Sequence, residues 1–311
     1  MPHDALQTAL DAFAETLDPE LAQAFAALRA RREAGSGDPH SPLGHPVLQL
    51  AGWTAQATGL DEPETVDALS LGAAFGYLHV SVQDALIDDG LGEPAATMLL
   101  SDRLRARHEA LVRGAVGADP RYWTEHEGVW ARYGAAMLLE RRLHAADQTL
   151  TAVEHSQILD RSMPLVLPGL AVLARAGRWD QSALLADFVR QVVTAGQLWD
   201  DLVDLEVDRA AGRHTWLVRR LGGLGGREAL VRGLMVEGGL DTAVDEALAH
   251  LDQASAIAET LGLPADAFLA ARRAGLLSWQ QGLWASLLQI LGGRTPAPEV
   301  GCPQEVDHGR P

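Results

Sequence analysis

The sequence predicts an all-α protein, because apolar residues recur at helical spacing along nearly its whole length. Alanine and leucine dominate, and the alternating β-branched runs that are typical of strands are absent. Hydrophobic residues make up 47% of the 311 residues, which is enough for a large core. No internal repeat or linker interrupts residues 45–292. We therefore expect one all-α domain over residues 1–294 and a disordered tail over 295–311.

Proline, glycine and capping residues set the predicted helix boundaries. The N-terminal segment, residues 4–34, forms one or two helices with a break at Asp18-Pro19, and a loop follows over 35–45. Pro63 marks the first turn of a long helix that ends at Gly90 and is apolar on all sides, as expected of a central, buried helix. The remaining predicted helices cover residues 46–58, 95–115, 122–147, 151–176, 180–209, 226–236, 240–261 and 264–291.

Charge and cysteine content disfavour several classes of function. The net charge of −17 argues against nucleic acid as a partner, since a phosphate backbone binds a basic surface. A single cysteine, Cys302, excludes a disulfide framework and fits a reducing cytoplasm, which is the location we expect. The N-terminus has neither the basic nor the apolar region of a signal peptide, and no transmembrane segment is expected.

Four aspartates share one face of a predicted helix. At 100° per residue, Asp200, Asp201, Asp204 and Asp208 fall with Gln197 within an arc of roughly 100°. Carboxylates at this spacing repel each other, so they require either solvent or a bound cation. The apolar sequence upstream favours a cation. Mg²⁺ prefers carboxylate oxygens together with phosphate oxygens and water, so the stripe predicts a magnesium site.

A second acidic cluster ends the long central helix. Asp84 and Asp88 are one helical turn apart and share a face, and Gln83 precedes them. A helix C-terminus disfavours negative charge, so these acids are costly there without a cation. Placed face to face across a bundle, the two clusters would hold several Mg²⁺ ions and, through them, a diphosphate. A solvated helix end without a ligand is the alternative.

The two clusters resemble the aspartate-rich motifs of the class I isoprenoid synthases, which include trans-prenyl diphosphate synthases, squalene and phytoene synthases, and class I terpene cyclases. Gln197-Leu-Trp-Asp-Asp-Leu-Val-Asp204 resembles the second motif of the prenyl synthases. Asp204-x-x-x-Asp208, followed by Gly212-Arg213, resembles that of the phytoene synthases equally well.

Two weaker similarities complete the resemblance, which spans roughly residues 45–290. Gln83-Asp-Ala-Leu-Ile-Asp88 resembles the first motif of the family, with Ala85 in place of its second aspartate. Arg161-Ser162 resembles a Lys-Thr pair with which prenyl synthases bind diphosphate.

The resemblance implies a helical bundle around a deep apolar cavity, in which Mg²⁺ promotes ionisation of an allylic prenyl diphosphate. Cations placed around the leaving diphosphate would stabilise its developing charge. The implied metal ligands are Asp84, Asp88, Asp200, Asp201, Asp204 and Asp208, of which Asp84, Asp88, Asp200 and Asp204 are expected to be catalytic. The implied substrate-binding residues are Gln83, Arg161, Gln197, Arg213, Tyr77 and Ser81. The family resemblance also implies a homodimer.

The sequence departs from the chain-elongating members at their basic sites. Residues 35–47 contain no Arg or Lys where those enzymes bind isopentenyl diphosphate, and the first arginine after the first motif is Arg103. A second diphosphate is therefore poorly provided for, which favours a terpene synthase that cyclises one substrate. A prenyltransferase, either elongating or head-to-head as in phytoene and squalene synthesis, is the first alternative. Because of Ala85, a non-catalytic partner subunit of a prenyl synthase is the second.

Overall fold

Helices make up all the regular secondary structure in the part of the chain that the structure, a computed structural model, describes. The described residues are 3–35, 46–88, 93–145, 151–213, 215–222 and 225–291. The expected all-α fold class is confirmed over these ranges. The helices are α1 (His3–Ala14), α2 (Pro19–Gly35), α3 (Pro46–Thr58), α4 (Pro63–Asp88), α5 (Pro94–Val116), α6 (Pro120–Ala145), α7 (Ala152–Ile158), α8 (Leu167–Arg175), α9 (Ser182–Val203), α10 (Leu205–Ala210), α11 (Trp216–Arg220), α12 (Arg227–Val231), α13 (Gly239–Leu261) and α14 (Asp266–Leu291). The predicted tail over 295–311 lies outside the described residues, as does most of the loop predicted over 35–45.

Prolines divide the helix that was predicted over residues 151–176. α7 ends at Ile158, a 3-10 helix covers Leu159–Val166, and α8 follows. Pro164 lies inside the 3-10 helix and Pro168 lies in the first turn of α8. Proline has no N–H to donate and clashes with the preceding turn, so one uninterrupted α-helix is not possible here.

The helix predicted over residues 180–209 is interrupted at Asp204. α9 ends at Val203 and α10 begins at Leu205, while Asp204 itself has φ −92° and ψ 4°. Backbone hydrogen bonds nevertheless continue across the break, because the Asp204 N–H donates to the Asp200 carbonyl at 2.9 Å and the Asp208 N–H donates to the Asp204 carbonyl at 2.8 Å. The long helix α9 and the short helix α10 therefore remain joined end to end.

The buried side chains form two clusters. The smaller cluster packs α1 and α2 against α4 and α5, and its aromatic centre is Phe13, whose ring meets Phe25 at 5.3 Å and Phe75 at 4.8 Å. The larger cluster joins α3, α6, α8, α9, α13 and α14 around Leu167, Leu185 and Ala254. The central helix α4 contributes to both clusters, as its apolar sequence predicts. None of the described helices is long and apolar enough to cross a bilayer.

Three histidines are buried where α4, α5 and α6 meet. His108 stacks on His126 with ring centroids 5.7 Å apart, and the Trp130 indole N–H donates to His126 Nε2 at 3.2 Å. The Ser101 hydroxyl lies 2.8 Å from His79 Nδ1. Burial disfavours the charged imidazolium, so it lowers the pKa of His79 and of His126 to about 4 and lowers that of His108 as well.

A replacement of His126 that cannot bind a proton should weaken the acid sensitivity of the fold. Because the pKa of His126 is lower in the folded state than its ordinary 6.5, the unfolded chain binds more protons and the unfolding free energy falls as pH drops from about 6.5 towards 4. His126→Gln keeps an oxygen that can accept the Trp130 N–H. Urea unfolding at pH 7 and pH 5 should show a loss of unfolding free energy that is roughly 2 kcal/mol smaller in the variant. Between pH 7 and pH 8 the two proteins should respond alike, and an equal loss at pH 5 would contradict this account.

Candidate active site

A cavity of about 360 Å³ lies between α3, α4, α9, α13, α14 and the 3-10 helix. This volume is within the range of small-molecule sites. Most of the side chains that line it are apolar. The polar ones are Tyr77, Ser162, Gln197, Asp200 and Arg272. Their number and position suit a ligand that is mostly hydrocarbon and has one polar end.

α9 carries two of the predicted site residues to this cavity. Gln197 and Asp200 both line it, because residues three apart lie on one face of a helix. Asp200 is exposed at the edge of the cavity, whereas Asp201 is buried with 3% of its surface accessible. The neighbouring aspartates of the motif therefore have different surroundings.

A chain of hydrogen bonds connects three helices beside the cavity. Arg161, in the 3-10 helix, donates to Glu140 Oε1 of α6 at 2.6 Å and also to Gln197 Oε1 of α9. Gln197 Nε2 in turn donates to Asp201 Oδ1 at 2.6 Å. We call this series the Arg161 chain. It uses both ends of the Gln197 amide and holds the Asp201 carboxylate in place.

Arg161 also interacts electrostatically with both acidic motifs. Burial alone would lower its pKa, but the carboxylates of Glu140, Asp84 and Asp201 raise it. Asp84 belongs to α4 and Asp201 to α9, so one guanidinium lies within electrostatic reach of an aspartate from each motif. The pair with Glu140 retains some solvent contact, since 28% of the Arg161 side chain is accessible.

The aspartates of α9 hold protons more tightly than ordinary carboxyl groups. Burial raises the pKa of Asp201 to about 6, although the Gln197 hydrogen bond and Arg161 oppose the rise. Desolvation likewise raises the pKa of Asp200 to about 6, Arg272 opposes it and Asp204 adds to it. The pKa of Asp204 is also raised, first by desolvation and then by Asp208. Carboxylates whose mutual repulsion and desolvation favour a proton will also favour a divalent cation.

Asp208 is paired with an arginine in the structure. Its carboxylate Oδ1 accepts a bond from Arg213 Nε at 2.8 Å, and the Arg213 N–H donates to the Asp208 carbonyl at 2.8 Å. Gly212 makes this return possible, since its φ of +70° is left-handed and costs a glycine little. Arg213 also lowers the pKa of Asp204, so the guanidinium lies near the exposed end of the motif.

The described ranges contain no group of three or more His, Cys, Asp or Glu side chains that converges on one point as a metal site would. Mg²⁺ does not require such a group, because one or two carboxylates commonly suffice when phosphate oxygens and water fill the other positions. Asp200, Asp204 and Asp84 remain predicted ligands on this basis. The side chain of Asp88 lies outside the described residues.

Two predicted substrate residues of α4 are placed differently from Tyr77. Tyr77 lines the cavity, whereas Ser81 and Gln83 do not belong to its lining. The Ser81 hydroxyl is buried and donates to the Tyr77 carbonyl at 2.8 Å, a bond internal to the helix. Of the predicted substrate residues, Tyr77 and Gln197 therefore line the cavity, and Arg161 reaches it through Gln197.

Two residues of the cavity were not anticipated as site residues from the sequence. Arg272 lies in α14, far along the chain from either motif, with nothing around it to mark it as other than a surface arginine. Trp199 stands inside the second motif, but a single tryptophan in an apolar helix is most simply a core residue. The packing of α14 against the bundle brings Arg272 to the cavity, and Trp199 lines it from α9.

Solved structures of similar proteins extend over most of the chain. A geranylgeranyl pyrophosphate synthetase from the archaeon Geoglobus acetivorans is 16% identical, with a TM-score of 0.69, 88% of this chain covered and 97% of that chain. A geranyltranstransferase from Thermotoga maritima is 13% identical, with a TM-score of 0.60 over 88% of this chain and 97% of that chain. This chain has the fold of the trans-prenyl diphosphate synthases.

A third structure was determined with ligands. It is a polyprenyl synthase from Caulobacter crescentus in complex with calcium and isoprenyl diphosphate, 20% identical, with a TM-score of 0.54 over 85% of this chain and 96% of that chain. No protein-family profile and no curated protein matches the sequence. At these identities the likeness establishes the fold and leaves the reaction open.

Loss of Arg161 should destabilise the protein more than loss of a surface arginine. Arg161→Met leaves Glu140 and Gln197 without their donor, so we expect the unfolding free energy to fall by about 2 kcal/mol. Adding Glu140→Gln should restore part of the loss, because the two residues are directly coupled.

The control breaks an exposed ion pair of the same kind. Arg132→Met removes the partner of Glu125, at 2.7 Å on the surface, and should cost less than about 0.5 kcal/mol. Urea unfolding followed by circular dichroism measures both variants. Similar losses from Arg161→Met and Arg132→Met would show that the Arg161 chain does not stabilise the site.

Proposed function

We propose that this protein is a Mg²⁺-dependent enzyme that activates an allylic prenyl diphosphate. The observation that carries the proposal is the position of Asp200 at the edge of a mostly apolar cavity, on a fold shared with prenyl synthases. An allylic prenyl diphosphate has the complementary form, with a strongly anionic head and a hydrocarbon tail. The head suits a rim that binds cations, and the tail suits the apolar lining.

The acidic residues near the cavity divide into proposed metal ligands and residues that position them. Asp200 and Asp204 would hold Mg²⁺ from one side, and Asp84 with Asp88 from the other. When bound, the metal supplies positive charge that stabilises the departing diphosphate. Asp201 is buried and fixed by Gln197, so we assign it a positioning role in place of the direct metal ligation suggested by its sequence motif.

Arginines of the chain add positive charge around the same point. Arg161 is held by Glu140 and Gln197 in a fixed orientation, which reduces the reorganisation needed when a diphosphate arrives. Arg213 is fixed by Asp208 beside Asp204. The apolar lining keeps water away from the carbon skeleton once the carbon–oxygen bond has broken.

Prenyl transfer to a second substrate is the reaction class that the comparisons favour. The similar solved structures bear the names of geranylgeranyl pyrophosphate synthetase, geranyltranstransferase and polyprenyl synthase. The sequence alone favoured cyclisation, because it has few basic residues that could bind a second diphosphate. The comparisons reverse that order. We therefore put prenyltransferase first and terpene cyclase second.

One structural observation keeps the cyclase as a second candidate. Among the described residues that line the cavity, Arg272 is the only cationic one. A second diphosphate would require cationic groups of its own, beyond the metal ions and the arginines that we assign to the first. A single-substrate reaction has no such requirement.

Dependence on a co-substrate separates the candidates. The purified protein is incubated with Mg²⁺ and allylic diphosphates of 10, 15, 20 or 25 carbons, each with and without isopentenyl diphosphate. Diphosphate release and hexane-extractable products are then measured. Release only with the co-substrate supports a prenyltransferase, and release from the allylic substrate alone supports a cyclase. Absence of release under every condition would overturn the proposal and favour a non-catalytic partner subunit.

Neutralising Asp200 should remove activity without harming the fold. We expect Asp200→Asn to lower the rate of diphosphate release at least 100-fold, on the order of the loss seen when a group that stabilises transition-state charge is removed. Because the pKa of Asp200 is raised to about 6 in the folded state, ionisation above that pH costs stability, and the variant should be no less stable than the wild type at neutral pH.

The matched control is Glu206, a carboxylate close to the motif that pairs with an arginine on the surface. Glu206→Gln alters the exposed pair with Arg209, at 2.9 Å, and should leave the rate within twofold of wild type. Thermal melts with and without Mg²⁺ accompany the assay, and the Mg²⁺-dependent increase in melting temperature should be smaller in Asp200→Asn. An unfolded Asp200→Asn variant would show that the aspartate is structural.

A further inference from the structure

Trp199 forms part of the cavity wall from within the second acidic motif. It lies in α9 between Gln197 and Asp200, and its side chain lines the cavity with both of them. The side chain is half-buried. A change in the position of this indole would therefore change the space that is available to a ligand.

The edge of the indole is seated against a glycine of α14. A Cβ atom placed on Gly275 would lie 2.6 Å from Trp199 Cη2 and 3.3 Å from Cζ3. Ordinary contacts of a Cβ atom begin near 3.4 Å, so even an alanine does not fit unless the ring moves. Gly275 thus provides a notch that allows the indole to lie against α14.

Arg272, one turn before Gly275, covers the same ring. Its guanidinium carbon lies 5.9 Å from the Trp199 ring centroid and 5.5 Å from that of Phe268. Phe268 continues the wall to Trp53, with ring centroids 5.7 Å apart. Cation–π contacts of this kind favour one orientation of the indole.

We propose that Trp199, seated in the Gly275 notch, determines the length of prenyl chain that the cavity accepts. The inference rests on the proposed function and deepens it, because it names a determinant of the substrate in the same cavity. The determinant lies on α9, whereas Tyr77 lines the cavity from α4.

The direction of each substitution follows from this packing. With a methyl group at position 275, the indole must move away from Gly275, and we infer that it moves into the cavity that its side chain lines. Gly275→Ala should therefore shorten the preferred chain. Trp199→Ala removes the ring and should lengthen it. With both changes present no indole remains to be displaced, so the double variant should behave like Trp199→Ala alone.

The test measures binding and turnover separately. Non-ionisable thiolo-diphosphate analogues with chains of 5, 10, 15 and 20 carbons are titrated into the protein with Mg²⁺ by calorimetry, and the same chain lengths are assayed as substrates. Gly275→Ala should shift the affinity ratio of adjacent chain lengths about 10-fold or more towards the shorter, since even one methylene discriminates by that order in an apolar pocket. Trp199→Ala should shift the ratio in the opposite direction.

Gly282→Ala is the matched control on the same helix. A Cβ atom at Gly282 has nothing within 4 Å, so this variant should keep the wild-type chain-length profile. If Gly275→Ala does not fold, Trp199→Ala tests the proposal alone, because it adds no atoms to the packed interface.

The outcomes distinguish this inference from the proposed function. Binding profiles that shift as expected in a protein without turnover would uphold the determinant and overturn the enzymatic proposal. Turnover with an unchanged profile in Trp199→Ala would overturn the determinant and leave the enzymatic proposal standing. Wild-type protein that binds no analogue of any length would overturn both.

Discussion

The site depends on one partly buried arginine, Arg161, whose positive charge offsets the negative charges of carboxylates from several helices. Arg161 bonds Glu140 of α6 and Gln197 of α9 and lies within electrostatic reach of Asp84 on α4. Without a cation between them, acidic groups from these helices would repel each other in surroundings of low polarity. The same guanidinium therefore allows the helices to approach each other closely, and Asp200 and Asp204 are left as the metal ligands that we propose.

Two interruptions of regular helix position residues of the candidate site. Two prolines prevent the segment after α7 from continuing as an α-helix, and the resulting 3-10 helix carries Arg161 and Ser162 to the cavity. The interruption at Asp204 has a comparable effect, because it separates the cavity-facing part of the motif on α9 from the Asp208–Arg213 pair on α10 and beyond. Both features lie at the candidate site, where departures from regular geometry are expected to have a role.

The electrostatics and the packing of the cavity support one another. Desolvation raises the pKa values of Asp200 and Asp201 to about 6, and the mostly apolar lining of the cavity suits a hydrocarbon. A prenyl diphosphate combines both properties in one molecule, which is why we propose this substrate class for the site. The choice between transfer and cyclisation depends instead on whether a second diphosphate can bind.

The sequence by itself determined the all-α class, the central helix α4 and the two acidic motifs, because helical periodicity and aspartate spacing are local properties of the chain. It also contained the prolines that break residues 151–176, although the type of break was not evident from them. Only the tertiary structure decided that Gln197 bridges Arg161 and Asp201 and that the Ser81 hydroxyl bonds within its own helix. It also decided that Arg272 of α14 lines the cavity and that Gly275 of the same helix lies against the Trp199 ring. The contacts of Gln197 with Arg161 and of Gly275 with Trp199 join residues distant in sequence, and they depend on how helices pack, which no local pattern encodes.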